Sequence, residues 1–286
     1  IAEKTDDANE QHYEVPPGFF KYALGKNLKY SCSFFNNTDS LDEAEKSMIE
    51  LYIQRADIQE GQAILDLGCG WGSFSLYVAE KYPSVSITAV SNSKDQITFI
   101  QNEAKRRGLF NVKASKMDVN NLDLDKKFDR IVSIEMFEHL RNYKLILKTL
   151  NNLLKPDGRL FVHIFCHKEL TYFYEIKNSY DWMTKYFFEG GIMPSQDIFK
   201  YFDDELEVIN QWDVNGNHYA QTCKAWLDNH YKNKVKILDV FDKHYDKPKI
   251  WFNRWRIFFL SCEAFFAINN GREYFVSHYL FKKPNK

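Results

Sequence analysis

The chain has 286 residues, enough for one large α/β domain, or one domain with a cap, around a sizeable core. A net charge of −1 and a pI near 6.8 exclude a field that gathers nucleic acid, and the lysines alternate with acids as on a solvated surface. No apolar run approaches the roughly 18–20 residues of a membrane span, so no integral membrane segment is expected. Cys32, Cys69, Cys166, Cys223 and Cys262 are odd in number and share no framework spacing, which suits a reducing, cytoplasmic compartment. The sequence begins at Ile1 and not at Met, so any targeting signal upstream of it is unreadable here. Aromatic residues make up 16% of the chain, enough to line a pocket for a flat or greasy substrate as well as a core.

Residues 1–17 are polar and read as a mobile arm closing on a turn at Pro16-Pro17-Gly18. A short helix is expected over 19–25, then a polar and aromatic segment, Lys29 to Phe35, without clear periodicity. Ser40-Leu41-Asp42-Glu43 is a capping box, and the helix after it carries Ala44, Met48, Leu51 and Tyr52 on one face to about Ala56. A strand over 63–67 opens a regular alternation: helix 73–82, strand 85–90, helix 93–107 stopped by Gly108, strand 111–116, strand 128–134, helix 142–154, a turn at 155–158 and strand 159–165. That order means a parallel doubly wound sheet whose ligand crevice lies beyond the carboxyl ends of its strands. After His167 the rhythm fails. Residues 167–203 are aromatic and irregular, followed by a strand at 206–212, helices over 220–241 and 249–268, a turn at Asn269-Asn270-Gly271 and a closing strand over 273–282. The chain thus divides into an N-terminal arm with helices (1–60), a core (61–166), and an aromatic-rich cap with helices and the last strands of the sheet (167–286).

Three stretches carry chemistry. Asp66-Leu67-Gly68-Cys69-Gly70-Trp71-Gly72 follows a buried strand with glycines at alternate positions, where a side chain would obstruct a tight turn and the approach of a ligand to the main chain. The helix behind it points N–H groups at that ligand. The second strand ends in Ser91-Asn92 with Gln96 one turn on, which leaves Asn92 and Gln96, and no acid, as the polar groups at that strand end. Asp118, before Val119, either accepts from a donor on the ligand or caps a turn. Glu135, Glu138 and His139 follow a buried strand directly, where desolvation raises a carboxyl toward a useful base. His163, Cys166 and His167 end another strand. They lack a second ligand pair nearby, so no metal is expected.

The glycine loop resembles motif I of class I S-adenosylmethionine (SAM) methyltransferases, a Rossmann-like fold in which the glycines face the methionine part of SAM. Tyr30-Ser31-Cys32, that loop, Met136-Phe137-Glu138-His139 and His218-Tyr219-Ala220-Gln221-Thr222 occur in the same order as in the cyclopropane fatty acid synthase family. Strings such as Phe165-Cys166-His167-Lys168 and Gly190-Gly191-Ile192-Met193-Pro194-Ser195 are similar to its plant coclaurine N-methyltransferase branch. The resemblance implies SAM as donor and S-adenosylhomocysteine (SAH) as product. It implies a cofactor site of Tyr30, Ser31, Asp66, Gly68, Gly70, Gly72, Asn92, Gln96, Asp118, Val119 and Ile134. In lipid-acting members a cysteine, a glutamate, a histidine and a tyrosine hold bicarbonate, and the matching positions here are Cys32, Glu138, His163 and Tyr219. In the N-methylating branch the residues matching Glu138 and His139 orient or deprotonate an amine, with Glu135 a further candidate.

The expected activity is N-methylation of a small, alkaloid-like amine, with Tyr77, Trp182 and Phe188 offering cation–π faces. The rivals are bicarbonate-assisted modification of a lipid acyl chain and a non-catalytic SAM-binding protein. The sequence leaves the oligomeric state open, a homodimer included.

Overall fold

The computed structural model describes residues 15–178 and 180–284, so most of the expected arm (1–14) lies outside the described residues. Pro17 opens helix α1 (Pro17–Ala23) instead of closing a turn. A proline is at home there because the first helical N–H needs no partner. Ser40 caps α2 (Leu41–Arg55), its side chain accepting from the Glu43 N–H as the capping box requires.

The core follows the expected alternation: β1 (Ala63–Leu67), α3 (Ser73–Lys81), β2 (Ser86–Ser91), α4 (Lys94–Arg107), β3 (Val112–Lys116), β4 (Phe128–Ile134), α5 (Tyr143–Leu153) and β5 (Leu154–His167). Phe128 pairs with Leu154 and Arg130 with Arg159, so the Pro156-Asp157-Gly158 stretch bulges out of a strand already begun. A short ladder follows between β6 (Tyr172–Phe173) and β7 (Ile192–Met193), with a π-helical turn over Thr184–Phe188.

After β8 (Glu207–Val214), the single helix expected over 220–241 is two: α6 (Gly216–Lys232) and α7 (Lys234–Asp242). Asn233 sits at the break and turns its amide back to the Tyr22 and Asn229 carbonyls. A side chain that competes for backbone partners favours such an interruption. The chain closes with α8 (Pro248–Phe266) and β9 (Tyr274–Lys282).

The seven-stranded sheet has the order β3-β2-β1-β4-β5-β9-β8, parallel through β5, with β9 antiparallel between β5 and β8. The chain leaves β1 toward β2 and β3, then returns to place β4 on β1's other side. The order therefore reverses between β1 and β4, and the crevice opens at their carboxyl ends. Over that crevice, α1 and the π-helical turn pack on α8 through aromatic contacts: Phe19 of α1 lies 4.5 Å from Trp255, and Phe187 of the turn stacks on Phe258 at 4.1 Å. All five cysteines are buried and free.

Candidate active site

One lip of the crevice is the loop after β1. Gly68, Gly70 and Gly72 have φ of +79°, +50° and +79°, the left-handed region that only glycine enters without cost. Their reasons differ. A Cβ on Gly68 would lie 2.6 Å from Met136 Cγ, and one on Gly72 would meet Ile100 at 2.7 Å, whereas one on Gly70 would meet nothing within 4 Å. Gly68 and Gly70 line the cavity, while Gly72 caps α3 and serves its packing on α4. Buried Asp66 accepts from Ser75 Oγ at 2.6 Å. Burial pushes its carboxyl up to about 7 against that hydrogen bond.

The other lip is Glu135, the residue after β4, held at φ +48°. A β-region strand that must stop and aim a side chain back into the crevice bears that strain. Its carboxylate is almost fully engaged. Oε1 accepts from the Cys32 N–H at 2.9 Å and lies 3.0 Å from His163 Nε2, and Oε2 accepts from the Tyr219 hydroxyl at 2.6 Å. Burial raises its pKa, while the Lys29 ammonium, the Cys32 N–H and Tyr219 pull it back. Lys29 is itself fully buried, lowered to about 8 by desolvation, and donates to Ser31 Oγ at 2.6 Å and to the Cys32 carbonyl. His163 Nδ1 lies 3.0 Å from the Tyr52 hydroxyl and 2.9 Å from His278 Nε2.

Glu138 and His139 sit in the short 3-10 turn (Phe137–His139) that follows. His139 lines the cavity, and burial lowers its pKa to about 4, so the imidazole is neutral. Glu138 lies behind the wall: Oε1 accepts from the Phe165 N–H at 2.8 Å, and Oε2 is buried without a partner. Burial, then the charge of Glu135, drives its pKa well up, so of the two acids Glu138 is the protonated one.

The cavity between the lips spans ≈ 1340 Å³ of non-atom space, the open solvent at its mouth included. Its roof is aromatic: Phe165, Tyr172, Tyr174, Phe188, Trp226, Phe258 and Phe266, with Tyr174 on Phe188 and Tyr219 on Phe266 as stacked pairs at 5.1 and 4.2 Å.

Of the positions expected from sequence, Tyr30, Ser31, Asp66, Gly68, Gly70, Gln96, Ile134, Glu135, His139, Phe188 and Tyr219 line this cavity. Cys32 and His163 stand just behind it, joined to it through Glu135. The set expected around Cys32, His163 and Tyr219 does converge, but on Glu135 and not on Glu138. Asn92 lies off the cavity wall with a buried, unpartnered Oδ1. Asp118 and Val119 are not on the wall either. Asp118 caps a 3-10 turn by accepting from the Asn120 N–H at 2.9 Å, the local role its sequence also allows.

Trp182 packs on Tyr186 and Phe187 in the roof's second layer. Tyr77 turns the other way and donates to Glu50 at 2.6 Å, because its face of α3 packs on α2, so it offers no cation–π face here. His167 Nδ1 accepts from the Glu169 and Leu170 N–H groups, and no cluster of three metal-ligating side chains occurs among the described residues.

Lys29, Tyr52 and His278 carry no motif of their own. Lys29 lies in a polar stretch and Tyr52 on an apolar helix face, and only His278 interrupts an apolar run, in β9.

The mycolic acid cyclopropane synthetase family model matches residues 2–273. The (S)-coclaurine N-methyltransferase of Thalictrum flavum subsp. glaucum is 41% identical over 290 residues, covering 99% of this chain and 80% of that protein. A crystal structure of coclaurine N-methyltransferase bound to N-methylheliamine and SAH superposes with a TM-score of 0.95 at 40% identity, over 99% of this chain and 83% of that one. The cyclopropane synthase MmaA2 from Mycobacterium tuberculosis shares the fold, with a TM-score of 0.84 at 20% identity over 99% of both chains. The cavity suits the donor these enzymes use: Gly70 leaves open main chain at its wall, beside Asp66, Ser31 and Gln96. The chain belongs to the mycolic acid cyclopropane synthetase family and is a SAM-dependent methyltransferase.

Proposed function

We propose that this enzyme methylates the nitrogen of a small aromatic, alkaloid-like amine, and that Glu135 and His139 receive that amine. The observation that carries the reading is the seat of the Glu135 carboxylate. Cys32, His163 and Tyr219 match three of the groups that hold bicarbonate in lipid-acting relatives, and here their hydrogen bonds go to Glu135. A second anion would face the Glu135 charge and find its donors taken. A fixed carboxylate in that place attracts a cation instead.

SAM, when bound, supplies an electrophilic methyl group on a sulfonium and leaves as SAH. The protein's residues do the rest. A protonated amine with a pKa of roughly 10, by analogy with lysine, is drawn to Glu135 and must lose its proton before it is a nucleophile. Glu135 and the neutral His139 are neighbouring polar groups at the wall that can take or pass it. Glu138, behind them, holds the Phe165 N–H and fixes the strand end under the roof. The stacked aromatic pairs clamp a flat acceptor and offer π faces to its positive charge, each worth about 0.5–2 kcal/mol. The aromatic roof also limits water at the nitrogen and aligns it, which supports reactivity without covalent catalysis. Names of relatives agree: besides coclaurine N-methyltransferases they include a pavine N-methyltransferase from Thalictrum flavum subsp. glaucum, 37% identical over 289 residues. No helix among the described residues is long and apolar enough to cross a membrane.

The test is a panel of benzylic and isoquinoline-type secondary amines with isotopically labelled methyl donor. The reading expects labelled N-methyl product that Glu135→Gln lowers by about 10²–10⁴-fold without changing SAH affinity. An undiminished rate in that variant would remove Glu135 from the acceptor site.

A further inference from the structure

A line of polar side chains runs from Glu135 through the sheet to the molecule's flank. His163 Nε2 meets Glu135 Oε1 at 3.0 Å, His163 Nδ1 meets His278 Nε2 at 2.9 Å, and His278 Nδ1 meets Arg55 Nη1 at 2.6 Å. Both histidines are fully buried on facing strands β5 and β9, where they form a register pair, while Arg55, at the end of α2, is half-buried over Trp212. Geometrically this is a path by which a proton shed in the cavity could reach solvent. Its hydrogens decide otherwise. A guanidinium only donates, so His278 Nδ1 accepts and its hydrogen sits on Nε2. That hydrogen points to His163 Nδ1, which must accept, so the hydrogen of His163 sits on Nε2 and points to the carboxylate. The Tyr52 hydroxyl, 3.0 Å from the same His163 Nδ1, can share that lone pair as a second donor and is compatible with the same tautomer. With every hydrogen aimed inward, no atom of the chain is free to take a proton from Glu135.

Resting on the reading that Glu135 receives the amine, we propose that Arg55, His278 and His163 form a one-way hydrogen-bond chain that presents N–H to Glu135 and keeps it an anion. His278 and Arg55 are then positioning residues, acting through His163. The proton released on methylation leaves by the His139 side and the cavity mouth, not through the sheet.

Charge around the chain agrees. Glu135 is faced by Lys29, Cys32, Glu138, His139, His163 and Tyr219; His163 and His278 are faced by Tyr52 and feel the positive charges of Lys29 and Arg55; Asp213 on β8 faces Arg55. Burial, then those positive charges and the neighbouring imidazole, hold both histidines well below their ordinary pKa, hence neutral. Removing the N–H that supports the carboxylate raises the Glu135 pKa, so the acid limb of kcat/KM must move to higher pH.

The test has two arms on the full chain saturated with SAH or SAM. Nitrogen-15 histidine spectra read the tautomers without turnover. His163 and His278 are expected neutral and protonated on Nε2 alone from about pH 6 to 9, and an Nδ1–H tautomer or imidazolium at His163 overturns the proposal. In the second arm, Arg55→Met frees His278 to flip, and Tyr52→Phe/His278→Phe removes both donors to His163. Both are expected to shift the Glu135 carboxyl titration, followed by carbon-13, and the acid limb upward by roughly one pH unit, a tenfold loss below it. Arg55→Lys, which still donates, restores the limb. Arg55 is at the flank, so its variants test the idea even if the double variant does not fold. An unmoved limb and titration with SAH affinity intact overturn it. Expected tautomers in an enzyme that methylates no amine would instead sink the acceptor assignment and leave the chain standing.

Discussion

Glu135→Gly tests the carboxylate's two burdens separately. The substitution removes a side chain from φ +48°, a conformation that costs an L-residue about 1–2 kcal/mol, so the backbone gains roughly that much. It also strips three donors of their acceptor: the Cys32 N–H, His163 Nε2–H and the Tyr219 hydroxyl. Left dry, each would cost about 1–3 kcal/mol, but these donors ring a cavity wall that water reaches once the carboxylate is gone. The two effects nearly offset, and the melting temperature should move by only a few degrees, at about 2–4 °C per kcal/mol for a chain of this size. Activity should not survive so well: loss of the base and of the cation's counter-charge lowers kcat/KM by about 10²–10⁴-fold. The vacated donor set should then bind a small carboxylate from solution. Steady-state N-methylation of a secondary amine, with formate, acetate or bicarbonate titrated in, is the assay. Saturable recovery of part of the lost rate is expected in Glu135→Gly and not in wild type. Full activity without any added anion would refute the placement of Glu135 at the acceptor.

Other expectations follow from single contacts. Gly68→Ala should abolish or weaken SAH binding at least tenfold by isothermal titration, because its Cβ falls 2.6 Å from Met136 Cγ at a left-handed φ. Phe188→Ala should raise KM for an aromatic amine about 3–30-fold with little change in kcat, since the stack with Tyr174 clamps and does not react. Buried Glu45 accepts from the N–H groups of Gly25, Asn27 and Lys29, and burial lifts its pKa to about 7. The folded form therefore binds a proton more tightly than the unfolded, so this group's contribution to stability falls as pH rises from about 4.5 to about 7. Glu45→Gln should flatten that slope in melting temperature against pH, and an unchanged slope would assign it to other groups.

The sheet was legible in the sequence because its central strands are largely apolar runs punctuated by glycine and proline, and because the Asp66–Gly72 turn has a steric reason for every glycine but Gly70, whose reason is the open cavity. Local periodicity could also place Glu135, Glu138 and His139 at a strand end. It could not rank them. Which acid faces the cavity depends on the left-handed turn at Glu135, and that turn depends on partners far away in the chain, Cys32 and Tyr219. Tyr77 and Asp118 failed as pocket residues for a related reason: each has a nearer partner, Glu50 or the Asn120 N–H, that only the packed helices and turn reveal. Lys29, Tyr52 and His278 were silent because a buried polar residue announces itself only when its long-range hydrogen bonds are known.

The most direct measurement pits the two acceptor chemistries against each other. Given labelled methyl donor, a secondary benzylic amine and vesicles of unsaturated phospholipid, with and without bicarbonate, the enzyme should place the label on nitrogen at a rate indifferent to bicarbonate. Label appearing in the acyl chains, and rising as bicarbonate is added, would show that Glu135 does not fill the anion seat and would contradict the account.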